Sequence, residues 1–145
     1  MACPSEKGRP QIGHVLETSL YVRDLDKSSV FYESLFGFTV FFKDARMCAL
    51  GVGGRQVLLL FSKALGGTPG KVPGGVIPAH AGEGALHLCF AIDRDDLPRW
   101  EAELAAMAVA VESRVTWPLG GISLYFRDPD GNSLELATPG LWPNY

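Results

Sequence analysis

The chain has no Cys-x-x-Cys pair, no long apolar run and no block of like charge, and each absence excludes something. Cys3, Cys48 and Cys89 are its three cysteines, an odd count without a framework of spacings. That argues against a disulfide scaffold and for a reducing, cytoplasmic setting. Cys48 and Cys89 fall in apolar strand-like segments, where a reduced cysteine behaves as a small hydrophobe. No apolar run approaches the roughly 20 residues that cross a bilayer, and the opening "MACPSEKGRP" lacks the apolar core of a signal peptide. The 13 basic and 16 acidic residues leave a net charge of −3 with no run of one sign. Nucleic acid and membrane surfaces therefore have no electrostatic footprint here.

What is present suits one compact domain: 145 residues, 47% of them hydrophobic. Residues 1–12 are polar with Pro and Gly and read as a tail. Residues 13–145 then read as a single domain. Its first strand alternates, with Leu16, Thr18, Leu20 and Val22 on one parity and Glu17, Ser19 and Tyr21 on the other. "DLDKSSVFYESLFGF" predicts a short helix, capped by Asp26, with Val30, Phe31, Ser34 and Leu35 on one face and Gly37 as its stop. Three strands follow, "FTVFF", "ARMCALGV" and "RQVLLLFS", the last two joined by a turn at Gly53-Gly54. Residues 64–83 are rich in Gly and Pro without a period, a linker or an active-site flap.

Then the pattern restarts. "ALHLCFAI" is a strand, and "RDDLPRWEAELAAM" a helix with Asp96 placed to cap it. "VAVESRVTW", "GISLYFR" and "NSLELAT" are strands, with "DPDG" making a tight turn between the last two. Two β-α-β-β-β modules, about 13–63 and 84–139, thus flank the linker. The repeat sets Glu17 over His87 and predicts an α+β fold, a cupped, pseudo-two-fold mixed sheet with helices on its outer faces.

Parity sends one set of side chains into the cup: Glu17, Ser19 and Tyr21; Val57, Leu59 and Phe61; His87, Cys89 and Ala91; Ser123 and Tyr125; Ser133, Glu135 and Ala137. Glu17, His87 and Glu135 are metal-ligand types amid apolar neighbours, where an ionisable group is costly unless it is paired or metal-bound. Carboxylate plus imidazole suits a divalent cation. For Glu17 the competing reading is a pair with Arg46 or Arg114. His14 has the opposite parity and reads as a partly exposed histidine.

"LETSLYVRDLDKSSVFYESLFGF", "LHLCFAI" and "FRDPDGNSLEL" resemble the vicinal oxygen chelate superfamily, which includes glyoxalase I, extradiol dioxygenases, fosfomycin resistance enzymes and bleomycin-binding proteins. The resemblance runs from about residue 14 to 138. It implies metal ligation by Glu135 in the "D-P-D-G-x-x-x-E-L" motif and by His87 at the head of the fifth main strand. Counting back from Asp24 puts the family's first ligand at Glu17, where His or Gln is usual. A fourth ligand position falls on Leu59, so three protein ligands are expected.

The resemblance also implies a small metal-dependent enzyme of lyase, isomerase or dioxygenase type. Its divalent ion, one of Mg, Mn, Zn, Ni or Fe, would chelate vicinal oxygens of a small-molecule substrate, and the chain would be a homodimer. Glu17 or Glu135 would serve as general base. His80, in the Gly/Pro-rich segment, reads as a surface-loop histidine or, carried to the cup on a flap, as a general acid or base. Tyr21, Leu59, Phe61 and Tyr125 would contact substrate, and Trp117 reads as pocket wall or core. The alternative, from another class, is a metal-free protein of bleomycin-resistance type that sequesters a drug or metabolite.

Overall fold

A computed structural model describes residues 8–65 and 67–145; Cys3 and the start of the tail lie outside them. Two four-stranded mixed sheets carry the fold. In the first, β1 (Glu17–Val22) is followed by helix α1 (Leu25–Phe36) and by β2 (Thr39–Lys43), β3 (Met47–Val52) and β4 (Gln56–Ser62), in the order β1-β4-β3-β2. A small hairpin follows, β5 (Gly70–Val72) with β6 (Gly75–Ile77), inside the segment whose composition shows no period. The second sheet holds β7 (His87–Ala91), helix α2 (Leu97–Ala106), β8 (Ser113–Thr116), β9 (Ile122–Arg127) and β10 (Ser133–Ala137), in the order β7-β10-β9-β8. In each sheet the first strand pairs parallel to the last, and the other pairings are antiparallel.

Alternation decides which face each strand buries. Leu20, Val22, Cys48, Leu50, Leu58 and Leu60 of the first sheet share one core with Leu124, Phe126, Leu134 and Leu136 of the second. Tyr32 and Leu35 of α1 and Leu97 and Leu104 of α2 complete it. Phe36 bridges the modules, with its ring 5.0 Å from Phe90 and 5.8 Å from Trp100. Because both sheets commit their leucine-rich faces to this shared core, the faces that carry Glu17 and His87 are the opposite ones.

Three details of the helices correct the expectations. Asp24, not Asp26, caps α1, accepting from the Lys27 amide at 3.0 Å. Asp26 instead stands in the first turn and pairs with Lys43 at 2.7 Å. The buried face of α1 is Leu25, Ser28, Ser29, Tyr32 and Leu35, while Val30 and Ser34 are exposed. The helix is rotated because polar groups decide its seat. Ser28 donates to Asp130, and Tyr32 donates to Asp128 at 2.7 Å. Apolar periodicity alone cannot see such bonds. Gly37 does end α1, in the left-handed conformation (φ 70°) that glycine takes without cost. At α2 a 3-10 turn, Arg94–Asp96, precedes the helix, and Asp96 makes no capping bond; its carboxylate pairs with Arg99 at 3.2 Å. Among the described residues no helix is long and apolar enough to cross a membrane.

Candidate metal centre

The parallel pairing of β7 with β10 sets Ser133 opposite His87 and Glu135 opposite Cys89. One strand edge therefore presents an imidazole and the neighbouring strand a carboxylate, and their side chains meet: His87 Nε2 lies 3.2 Å from Glu135 Oε2. The hydrogen atoms around this contact follow from chemistry. His87 Nδ1 is 2.9 Å from the Ser133 carbonyl, which only accepts, so Nδ1 carries a proton and donates it. In the neutral ring Nε2 then bears a lone pair.

Glu135 is held equally firmly. It is nearly fully buried at 4% exposure. The Trp117 indole N–H donates to Ser123 Oγ at 2.8 Å, and the Ser123 hydroxyl donates in turn to Glu135 Oε1. Oε1 is thus satisfied, and Oε2 is left facing His87. Two lone-pair atoms converging in this way require a cation between them, a proton on the imidazole or a metal ion. The donor set, one imidazole nitrogen and one carboxylate oxygen, fits a divalent ion.

The surroundings bear the mark of this carboxylate. Tyr125, opposite Glu135 on β9, has its ring 6.3 Å from that of His87. Its pKa is raised by burial and by the Glu135 charge. Cys89 is not the buried hydrophobe that its apolar neighbours suggest. It is exposed on the ligand face, and partial desolvation of the sulfur beside the Glu135 carboxylate pushes the thiol up to about 12. Cys48 does behave as a core residue, at 0% exposure.

Glu17 does not join this pair. Among the described residues no three His, Cys, Asp or Glu side chains stand close enough to share a metal ion. The reason is topological: Glu17 opens β1 of the other sheet, and no ladder links the two sheets. Glu17 and Cys89 line opposite sides of a cleft of about 260 Å³ between the sheet edges. Neither competing arginine reaches Glu17. Arg114 pairs with Glu101 at 3.1 Å, and Arg46 donates to the Thr68 carbonyl. His14 is exposed and lines a groove beside the β3–β4 turn and the β7 edge.

The registers of the two sheets can be superposed. Glu17 pairs with Val57 as His87 pairs with Ser133, so two residues further on Leu59 occupies the place of Glu135. By the same count Tyr21 and Phe61 stand where the second sheet has Ala91 and Ala137. The first sheet is therefore the apolar and aromatic half. Its aromatic row is covered from the linker: His80 Nδ1 shares a 2.8 Å hydrogen bond with the Tyr21 hydroxyl, and the His80 ring stands edge-on to Phe61 at 4.6 Å. Gly82 lies flat on Tyr21, since a Cβ there would sit 2.4 Å from the ring.

Two β-α-β-β-β modules that carry a His–Glu pair on one sheet and a Glu-bearing apolar face on the other define a vicinal-oxygen-chelate type of protein. The chain belongs to the Glyoxalase/Bleomycin resistance protein/Dioxygenase superfamily, whose model matches residues 11–136. It is 30% identical over 127 residues to a catechol-2,3-dioxygenase of Bacillus subtilis, covering 85% of this chain and 40% of that one. It is 28% identical over 131 residues to a metallothiol transferase FosB of Lysinibacillus sphaericus, covering 90% of this chain and 83% of that one. The chain thus spans well under half of the dioxygenase's length. Among solved structures, a lactoylglutathione lyase from Agrobacterium tumefaciens superposes with a TM-score of 0.82 at 33% identity, over 92% of this chain and 99% of that one.

Proposed function

We propose that the protein is a small metal-dependent enzyme acting on a small molecule with two neighbouring oxygens, by lyase, isomerase or dioxygenase chemistry. The carrying observation is the convergence of His87 Nε2 and Glu135 Oε2 with their other polar atoms already satisfied. In this reading His87 and Glu135 hold the ion, and Glu17 of a second copy supplies the third ligand, making the working form a homodimer in a reducing cytoplasm. What supports the second copy is that Glu17 stands on the other sheet from His87 and Glu135 and, among the described residues, forms no three-ligand cluster with them within one chain. Bound there, one of Mg, Mn, Zn, Ni or Fe acts as a Lewis acid toward the substrate oxygens.

The chain's own residues do the rest. Tyr125, beside both ligands, orients a substrate oxygen. Tyr21, Leu59 and Phe61 form the apolar floor for the substrate's body, and their weak polarity excludes water from it. His80, on the linker strap, is placed at the rim of that floor as a proton donor or acceptor. Glu17 or Glu135 serves as the base.

The test is metal content and affinity of protein purified without a chelating tag. One divalent ion per chain, lost in His87→Ala and Glu135→Ala, supports the enzyme. Absence of metal even after reconstitution supports a metal-free binder of drugs or metabolites instead.

A further inference from the structure

Ser123 is fully buried at 0% exposure, yet its hydroxyl lies on the ligand face between two polar partners. An indole N–H can only donate, so Ser123 Oγ must accept from Trp117 and is left with its single proton for Glu135. The direction of both bonds is fixed by the partners. A serine bonded only to a carbonyl, or free to rotate, would not aim its proton this way.

Trp117 is itself fastened. It opens the turn between β8 and β9, where its amide donates to the Gly121 carbonyl at 2.8 Å and its carbonyl accepts from the Gly120 amide at 2.9 Å. Arg94 donates to the Gly120 carbonyl at 2.9 Å. Gly121 packs backbone to backbone against Gly140, and a Cβ on Gly121 would sit 2.7 Å from the Gly140 carbonyl carbon. Beyond Gly140, the Tyr145 hydroxyl shares its one proton between the Ile92 and Ala137 carbonyls, at 2.9 and 3.0 Å. The C-terminal segment is thereby tied to the ends of β7 and β10, the strands that carry His87 and Glu135.

We infer that Trp117 and Ser123 are positioning residues for the metal, acting through Glu135. Their bonds occupy Oε1 and rotate the carboxylate so that Oε2 points at His87 Nε2. This rests on the proposed metal ligation by His87 and Glu135. Partners of this kind fix ligand orientation, and losing one typically weakens metal binding about 10- to 100-fold. The indole is coupled to the ligand by two hydrogen bonds, so its emission should report occupancy of the site.

The experiment uses Mn²⁺ or Zn²⁺ alone, titrated into metal-free full-length protein in a Trp100→Phe, Trp142→Phe background. Binding is read both by calorimetry and by the emission of the remaining Trp117. The expected result is an emission change that saturates with the calorimetric midpoint. Ser123→Ala should bind about 10- to 100-fold more weakly and lose most of that change, while its metal-free form melts earlier but still cooperatively, because Glu135 is left one donor short. Ser123→Thr, which restores a hydroxyl, should recover affinity. Trp117→Phe, read by calorimetry, keeps an aromatic side chain of smaller size without the N–H, and it should also weaken binding. If the parent binds metal and both Ser123→Ala and Trp117→Phe bind within about twofold of it, the positioning role is wrong while the metal site stands. If the parent binds no metal, the ligand assignment falls and the positioning role falls with it.

Discussion

The phenol of Tyr32 on α1 donates to the carboxylate of Asp128, 96 residues away at the turn between β9 and β10, over 2.7 Å. Both groups are buried, at 0% and 5% exposure. Asp128 also accepts from the Asn132 side chain and from the amides of Asp130 and Asn132, each at 2.9 Å. The "DPDG" turn is thus more than a reversal of the chain. It is a knot that fixes the first module's helix onto the second module's sheet.

Removing the phenol leaves a buried carboxylate one donor short. Tyr32→Phe is expected to cost about 1–3 kcal/mol in urea unfolding. Burial, and then the Asp128 charge, raise the Tyr32 pKa above its ordinary value of 10.0. A raised pKa gives stability that is complete below the unfolded value and lost as pH climbs past it, because the unfolded phenol ionises while the folded one does not. The wild type should therefore lose stability as pH rises beyond about 10, and Tyr32→Phe should flatten that alkaline limb. An equally steep limb in the variant would show that other groups set it.

Leu59 occupies, by strand register, the place that Glu135 holds in the second sheet. A carboxylate there would extend the expected ligand set from three to four. Leu59→Glu is expected to tighten Mn²⁺ or Zn²⁺ binding at least several-fold while the metal-free form loses stability, since a charge replaces a half-buried leucine. Unchanged affinity in a folded variant would argue that the face carrying Leu59 never meets the ion.

The modules, their strand order of polar and apolar faces and the positions of His87 and Glu135 were legible because period-2 alternation and the repeat carry them directly. What escaped has a common cause. The seat of α1 depends on Tyr32, Ser28 and the Asp128 turn, contacts about a hundred residues apart that no local period encodes. Trp117 read as wall or core because an indole looks apolar in sequence, and only the fold brings its N–H to Ser123. The exposure of Cys89 and the separation of Glu17 from His87 depend on how two sheets share one core, which parity within a strand does not determine.

The strap over Tyr21 and Phe61 is held by one polar bond and by flat packing of a glycine. Tyr21→Phe removes the bond and keeps the ring. Amides of residues 79–84 are expected to exchange about 5- to 10-fold faster in that variant, the equivalent of roughly one hydrogen bond. Exchange no faster than in wild type would mean that packing alone holds the strap. If His80 moves protons for the substrate, His80→Gln should lower turnover more than it changes metal affinity.

Glu17 provides the decisive test of how the centre is assembled. Glu17→Ala alone and His87→Ala alone are each expected to bind metal far more weakly than wild type, with folding intact. When the two variants are unfolded together and refolded, dimers of mixed parentage form. If Glu17 of one copy serves His87 and Glu135 of the other, each mixed dimer contains one site with every defect and one site with none. Random pairing then restores about a quarter of the sites to wild-type affinity, because half of the dimers are mixed and each repairs one site of two. If the cleft between β1 and β7 instead closes within a chain, every site keeps one defect and mixing restores nothing. His14→Ala is the control. It should leave binding unchanged, because its ring lies in a groove by the β3–β4 turn that neither His87 nor Glu135 lines. Glu17→His carries the same logic into metal choice: two imidazoles and one carboxylate favour softer ions such as Fe²⁺ and Zn²⁺ over Mg²⁺. A competition titration in which the variant's preference does not move would place Glu17 outside the coordination sphere.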